Sequence, residues 1–397
     1  MSGLDRSRVE RVIKETGGIL NLAPTWVARD FLPAGHRLRL ENYTLKDKRR
    51  GEICERWFAS TSPADNAYGP ADEGLSYIVS PDRSRFLLRD VVGLCGDLLL
   101  GEEYHRSHGG IGMFTKLFDF AAPIPLHLHQ MKQHTEPLGK GPKDEAYYFV
   151  EGVPMGSFPY SFFGLHHMFL RPENRQKITP FLEKWETDEI LKYSKAYKLM
   201  PGEGFLIPSG TLHAPGTALT LEMQESSDVF AMLLGVAGGK PISRDLLWKD
   251  VDPKARERND MNAILDLIDW EVCCDPYFYE HHHTAPVAIT SSSDGSEHWV
   301  FYGTAKFSGK KTVVKPGRRL SFRERRAFPF FVWRGEGRFF DVAMEAGGDH
   351  SRDEFFVVYE KAVQTITVEN TGDEDLVLFK FFGPDVNLEA PMIPPYP

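Results

Sequence analysis

Cysteine is scarce in this chain of 397 residues: Cys54, Cys95, Cys273 and Cys274 are the whole complement, and no pair has Cys-x-x-Cys spacing. Neighbouring Cys273 and Cys274 are poorly placed to bridge each other. Four free thiols in a reducing compartment is the expectation, and with it a cytoplasmic location. Long apolar runs are also missing. None reaches the roughly 18–20 residues that span a bilayer, and residues 1–18 lack the apolar core of a signal peptide, so no membrane association is expected. Positive charge is in deficit, with 47 Lys and Arg against 56 Asp and Glu and a net charge of −9. That balance argues against nucleic acid as a partner.

What the chain does have is glycine and proline, 35 and 27 residues, which suits many short strands joined by tight turns. Residues 4–16 read as a short amphipathic helix stopped by Gly17-Gly18. From there to about residue 100 the pattern is mixed, with turn signals but no clear period. Between about 110 and 170, apolar and aromatic runs (MFTKLFDF, IPLHLHQ, EAYYFVEG) alternate with polar breaks, as in an antiparallel sheet. Residues 173–198 space Ile178, Leu182, Trp185, Ile190 and Tyr193 at helical intervals, and a second helical stretch covers roughly 242–270. Strand patterns resume over about 285–383, punctuated by Gly and Pro, and indicate a sandwich or barrel. The expected division is an N-terminal extension packing on the first barrel (1–105), a first β domain with a helical insert (106–240), a helical bridge (241–284), and a second β domain with a tail (285–397).

The chemistry concentrates in the first β domain. His127 and His129 stand two apart on a strand, so both imidazoles face one side, about 7 Å apart along the chain. Glu145 opens the next apolar strand, with six residues between it and Gly152. Downstream, Gly202-x5-Pro208-x-Gly210-x2-His213 places a tight turn that aims His213 back toward the barrel interior. Three imidazoles and one carboxylate suit Zn, Mn, Fe or Ni.

These two stretches resemble the paired motifs of the cupin superfamily, Gly-x5-His-x-His with Glu-x6-Gly, and Gly-x5-Pro-x-Gly-x2-His. The resemblance implies a mainly β fold of two cupin (jelly-roll β-barrel) domains with inserted and bridging helices, the second barrel degenerate and metal-free. Two departures, Ala121 for the first Gly and a long insertion before Glu145, narrow it. That insertion, ending in Lys143-Asp-Glu145, is similar to class I mannose 6-phosphate isomerases, as are Phe114–Asp119, the Pro208–His213 turn and Glu222–Asp228. In that family a Gln, a His, a Glu and a His bind zinc, and His127, His129, Glu145 and His213 are the matching positions.

The resemblance therefore implies one divalent ion, zinc first, and isomerisation of an aldose or sugar phosphate by proton transfer through an enediolate. Lys143 would act as acid or base, and Glu222 and Asp228 as proton carriers or as orienters of a ligand. Lys140 and Arg171 are candidates for holding a phosphate, and His134 for touching the sugar. A homodimer is one expectation for assembly. Two features depart from the isomerase pattern: Met232 stands where the family has Arg, and its opening Trp-Gly segment has only an echo at Asn42-Tyr43. The ligand set alone also admits an iron dioxygenase or a non-catalytic sugar-binding cupin. Glu280-His281-His282-His283 reads as a surface run, because consecutive side chains cannot face one point.

Overall fold

A computed structural model describes residues 4–40, 45–347 and 352–393; Asn42 and Tyr43 lie outside these described residues. Every strand pair in it is antiparallel, as expected when short strands follow one another through tight turns. Two sheets make the first barrel. One has seven strands, in the order His283–Thr284, Gly204–Ile207, Glu145–Phe149, Thr220–Glu225, Met113–Phe118, Glu52–Phe58 and Thr25–Arg29. The facing sheet has five, in the order Ser194–Lys198, Tyr160–Leu165, His213–Ala214, His127–Leu128 and Ala231–Met232. Their inner faces enclose aromatic side chains such as Phe118, Tyr147 and Phe163, all nearly inaccessible.

The second barrel pairs a nine-stranded sheet, in which Phe328–Arg334 and Leu376–Phe382 are central, with a four-stranded one, from Arg319–Phe322 to Val342–Glu345. Among the described residues its interior carries no imidazole cluster. Instead Lys380, fully buried, sits 2.5 Å from Glu297 and 2.6 Å from Glu324, and Lys310 lies 2.7 Å from Glu324. Two buried cations against two buried anions satisfy one another, which is the condition for leaving charge inside a protein.

The N-terminal segment contributes to both barrels. Ile19–Ala23 pairs with Glu354–Val357 in the second, while Thr25–Arg29, beyond Pro24, pairs with Glu52–Phe58 in the first. Arg56 reaches from the first barrel to Asp353 with two hydrogen bonds of 2.6 Å, and to Glu354 at 3.3 Å.

The helical stretches differ from the sequence expectation. Residues 173–198 form short turns, Pro172–Arg175, Gln176–Ile178, Thr179–Lys184 and Glu189–Tyr193, followed by a strand. Pro180 can only open a helix, and Trp185 in the left-handed region (φ 56°) closes it. The bridge is likewise broken, into Arg244–Leu247, Pro253–Asn259, Asn262–Leu265 and Trp270–Cys273. The longest helix, Leu88–Leu100, lies in the stretch whose sequence shows no clear period; Cys95 kinks it.

Candidate active site

His127 and His213 are register partners on adjacent strands of the five-stranded sheet, and His129 follows on the same inner face. The three rings crowd one another, with centroids 4.1 to 5.2 Å apart. Each ring is oriented by its Nδ1, which donates to a main-chain carbonyl: Pro125 for His127 (2.8 Å), Val229 for His129 (2.7 Å) and Thr211 for His213 (2.8 Å). With the proton fixed on Nδ1, each Nε2 keeps a free lone pair. The potential ligand atoms of the three residues lie within 4.8 Å of one another, the only such group of three or more His, Cys, Asp or Glu among the described residues.

Glu145 approaches from the facing sheet. Its Oε1 is 2.8 Å from His129 Nε2 and its Oε2 is 3.3 Å from His213 Nε2. Neither contact has hydrogen-bond geometry, so both buried Nε2 atoms lack a partner. Orphaned, lone-pair-bearing nitrogens converging beside a carboxylate fit a divalent metal ion, and the site passes that test on its own atoms. Electrostatics agree. Burial holds His129 down at about 4 and His127 well below the usual histidine range, so both rings are neutral at physiological pH. Burial opposes ionisation of Glu145, but His129 and Lys143 outweigh it and keep the carboxyl well below its ordinary value.

Around this centre lies a cavity of about 520 Å³ counting its open mouth. Lys143, Glu222 and Asp228 line it, as do His127, His129 and Glu145. Lys143 Nζ is 2.6 Å from Glu145 Oε1 and 3.6 Å from Glu222 Oε1. Burial and then the Glu145 charge push Glu222 well above the normal carboxyl range, while Lys116 and Lys143 pull the other way.

Four residues that sequence reasoning passed over also take part. Lys116, the register partner of Glu222, lies 3.3 Å from its carboxyl. Burial opposes its charge, yet Glu222 and Glu55 hold it protonated. Arg29 and Glu55 form a buried pair at 2.8 and 3.2 Å on the cavity wall. The Tyr147 hydroxyl donates to Glu145 Oε2 at 2.8 Å. Lys116 was visible as the one cation inside the apolar run MFTKLFDF; Arg29 and Glu55 come from the region without a clear period.

Three expected substrate contacts lie elsewhere. Lys140 is half exposed and pairs with Asp250; Arg171 is exposed at a helix start; His134 is half buried near Asp266. None of them lines the cavity. The histidine run is not a plain surface run either. His281 contacts Asp275, His282 stacks on Phe278, and His283 contacts Glu203.

Known proteins carry the same architecture. Over 92% of its length the chain superposes on mannose 6-phosphate isomerase from Bacillus subtilis, covering 99% of that chain with a TM-score of 0.62 at 16% identity. It superposes equally on a zinc-bound mannose 6-phosphate isomerase, with a TM-score of 0.62, 13% identity and 100% of that chain covered. A variant of phosphomannose isomerase from Salmonella typhimurium gives 0.62 at 14%, over the same shares. The fold is therefore the cupin fold, in the two-barrel form of the class I phosphomannose isomerases. Among curated proteins the chain is 27% identical over 190 residues to mannose-6-phosphate isomerase ManA of Bacillus subtilis (strain 168), a match covering 46% of this chain. It spans about half the length of that relative, 53%. No family model matches the chain. No helix among the described residues is long and apolar enough to cross a membrane.

Proposed function

We propose that this protein is a metal-dependent aldose–ketose isomerase of the mannose 6-phosphate isomerase type, with zinc as its ion. The observation that carries the reading is the convergence of three carbonyl-anchored imidazoles on Glu145, with Lys143 and Glu222 at its side. Binding of zinc by a neighbour of this fold and the isomerase relatives support it.

His127, His129, Glu145 and His213 would hold the ion, which when bound supplies positive charge for the oxygens of an open-chain sugar. The rest follows from the chain's own groups. Isomerisation moves one proton between C2 and C1 and another between their oxygens. Glu222, whose carboxyl is pushed above its ordinary range by burial, is placed to exchange a proton with a developing alkoxide. Lys143, flanked by Glu145 and Glu222, is placed to pass a proton back. Lys116 keeps a positive charge beside Glu222 and favours the anionic stage. Asp228, whose Oδ2 is buried without a partner, has an acceptor free for a sugar hydroxyl. Aromatic walls from Phe118 and Phe120 restrict water at the reacting carbons. The oxygenase and non-catalytic readings open to the ligand set alone have no comparable support.

The test pairs metal analysis with turnover. Wild type is expected to hold about one zinc per chain and to form ketose from aldose. His129→Ala should lose the metal and the activity together. Lys143→Met should keep the metal while turnover falls on the order of a hundredfold to ten-thousandfold. Metal retained in His129→Ala, or full activity in Lys143→Met, would refute these assignments.

A further inference from the structure

The imidazole end of the cavity accounts for a sugar's carbonyl; the remaining walls decide what the sugar carries at its far end. Resting on the isomerase reading, we infer that the substrate is an uncharged aldose rather than a sugar phosphate.

A phosphate monoester carries about −1.5 to −2 charges at neutral pH. Burying it requires a surplus of positive charge at the site, because the dianion's lost hydration must be offset by uncompensated cations. The cavity wall holds three cations among the described residues, Arg29, Lys116 and Lys143. All are committed. Arg29 gives Nε and Nη2 to Glu55, and Nη1 to Asn66 at 3.0 Å. Lys116 faces Glu222 and Glu55, at 3.3 and 4.0 Å, and Lys143 faces Glu145. Four carboxyl groups, Glu55, Glu145, Glu222 and Asp228, stand against these three cations, so the wall has no positive surplus. The charge of a divalent ion falls at the imidazole end, where the carbonyl belongs.

The mouth points the same way. The lining residues that reach solvent are Phe31, Ile124, Phe230 and Asp228: three apolar side chains and an acid. Met232, the partner of His127 on the neighbouring strand, adds a thioether to the wall. Just outside, Lys249 lies over the Phe230 ring at 4.8 Å. It too is held, by Asp65 at 2.7 Å and Asp250 at 3.2 Å, and Asp250 also takes Lys140. Two rim cations thus meet two rim anions. Aromatic rings beside an acceptor suit the C–H face and hydroxyls of a neutral sugar, and they disfavour a dianion.

The experiment uses the zinc-loaded full chain. Values of kcat/KM are compared for free mannose, glucose and aldopentoses against mannose 6-phosphate, with inorganic phosphate as a competing probe. The expected result is a free aldose preferred by about tenfold or more, and no inhibition by phosphate at about 10 mM. Equal or better turnover of mannose 6-phosphate, or inhibition by phosphate at low millimolar levels, overturns the neutral-substrate inference and leaves the isomerase reading standing. Turnover of neither class removes both.

Discussion

Tyr147 shows how a residue outside the ligand set governs it. Its ring packs edge-on against Phe118 with centroids 5.6 Å apart, and its hydroxyl fixes one oxygen of Glu145. Tyr147→Phe removes only the hydroxyl, so folding should be unaffected. Zinc affinity is expected to fall about 10–100-fold, the usual effect of losing a partner that orients a ligand, as read by competition with a calibrated chelator. Unchanged affinity would mean that Glu145 is held by its other neighbours alone. At this scale the convergence of His127, His129, Glu145 and His213 was legible, because strand alternation and one turn fix where each side chain points. Arg29 and Glu55 were not. Their roles come from tertiary pairing across the sheet, and nothing local distinguishes them from surface charges.

Among the elements, the turn before His213 bears most of the local constraint. Gly210 sits at φ 84°, donates its N–H to the His129 carbonyl at 2.7 Å and accepts from the Asp269 amide at 3.0 Å. A Cβ there would come within 2.9 Å of the Asp269 side chain. Gly210→Ala should therefore lower stability by about 1–2 kcal/mol through the left-handed backbone alone. It should also loosen the strand end carrying His129. Thermal unfolding with and without zinc checks both, and a Tm matching wild type in either state would contradict the argument. The strands were readable in sequence because their apolar runs end at Gly and Pro. The helical insert was less so: Ile178, Leu182 and Ile190 are all buried, which satisfies a helical spacing, yet short turns and a left-handed Trp185 achieve the same burial. Leu88–Leu100 escaped notice because two internal glycines and a kink at Cys95 blur its period.

For the whole molecule, one contact between barrels is a buried charge group, Arg56 with Asp353 and Glu354. Burial pushes Glu354 up to about 7, and Arg56 only partly pulls it back. A carboxyl whose folded pKa exceeds its unfolded value of 4.5 contributes stability that is fully present below about pH 4.5 and is lost as pH rises through about 7. Wild type is thus expected to show a lower urea midpoint at about pH 8 than at about pH 5 from this group. Glu354→Gln should flatten that difference; an unaltered slope would assign it to other groups.

The threading of residues 19–29 also constrains how the protein is made. During translation, domains tend to fold from the N-terminal side as they emerge. Here the strand Thr25–Arg29, which delivers Arg29 to the cavity wall, is separated by Pro24 alone from Ile19–Ala23, and that strand pairs with Tyr77–Val79 on one side and with Glu354–Val357 on the other. One edge of the first strand made can be covered early; its other edge must wait for almost the last strand. Until the C-terminal barrel has been synthesised, a nascent chain therefore carries an unpaired strand edge next to the segment that delivers Arg29, and a stalled chain would be sticky there.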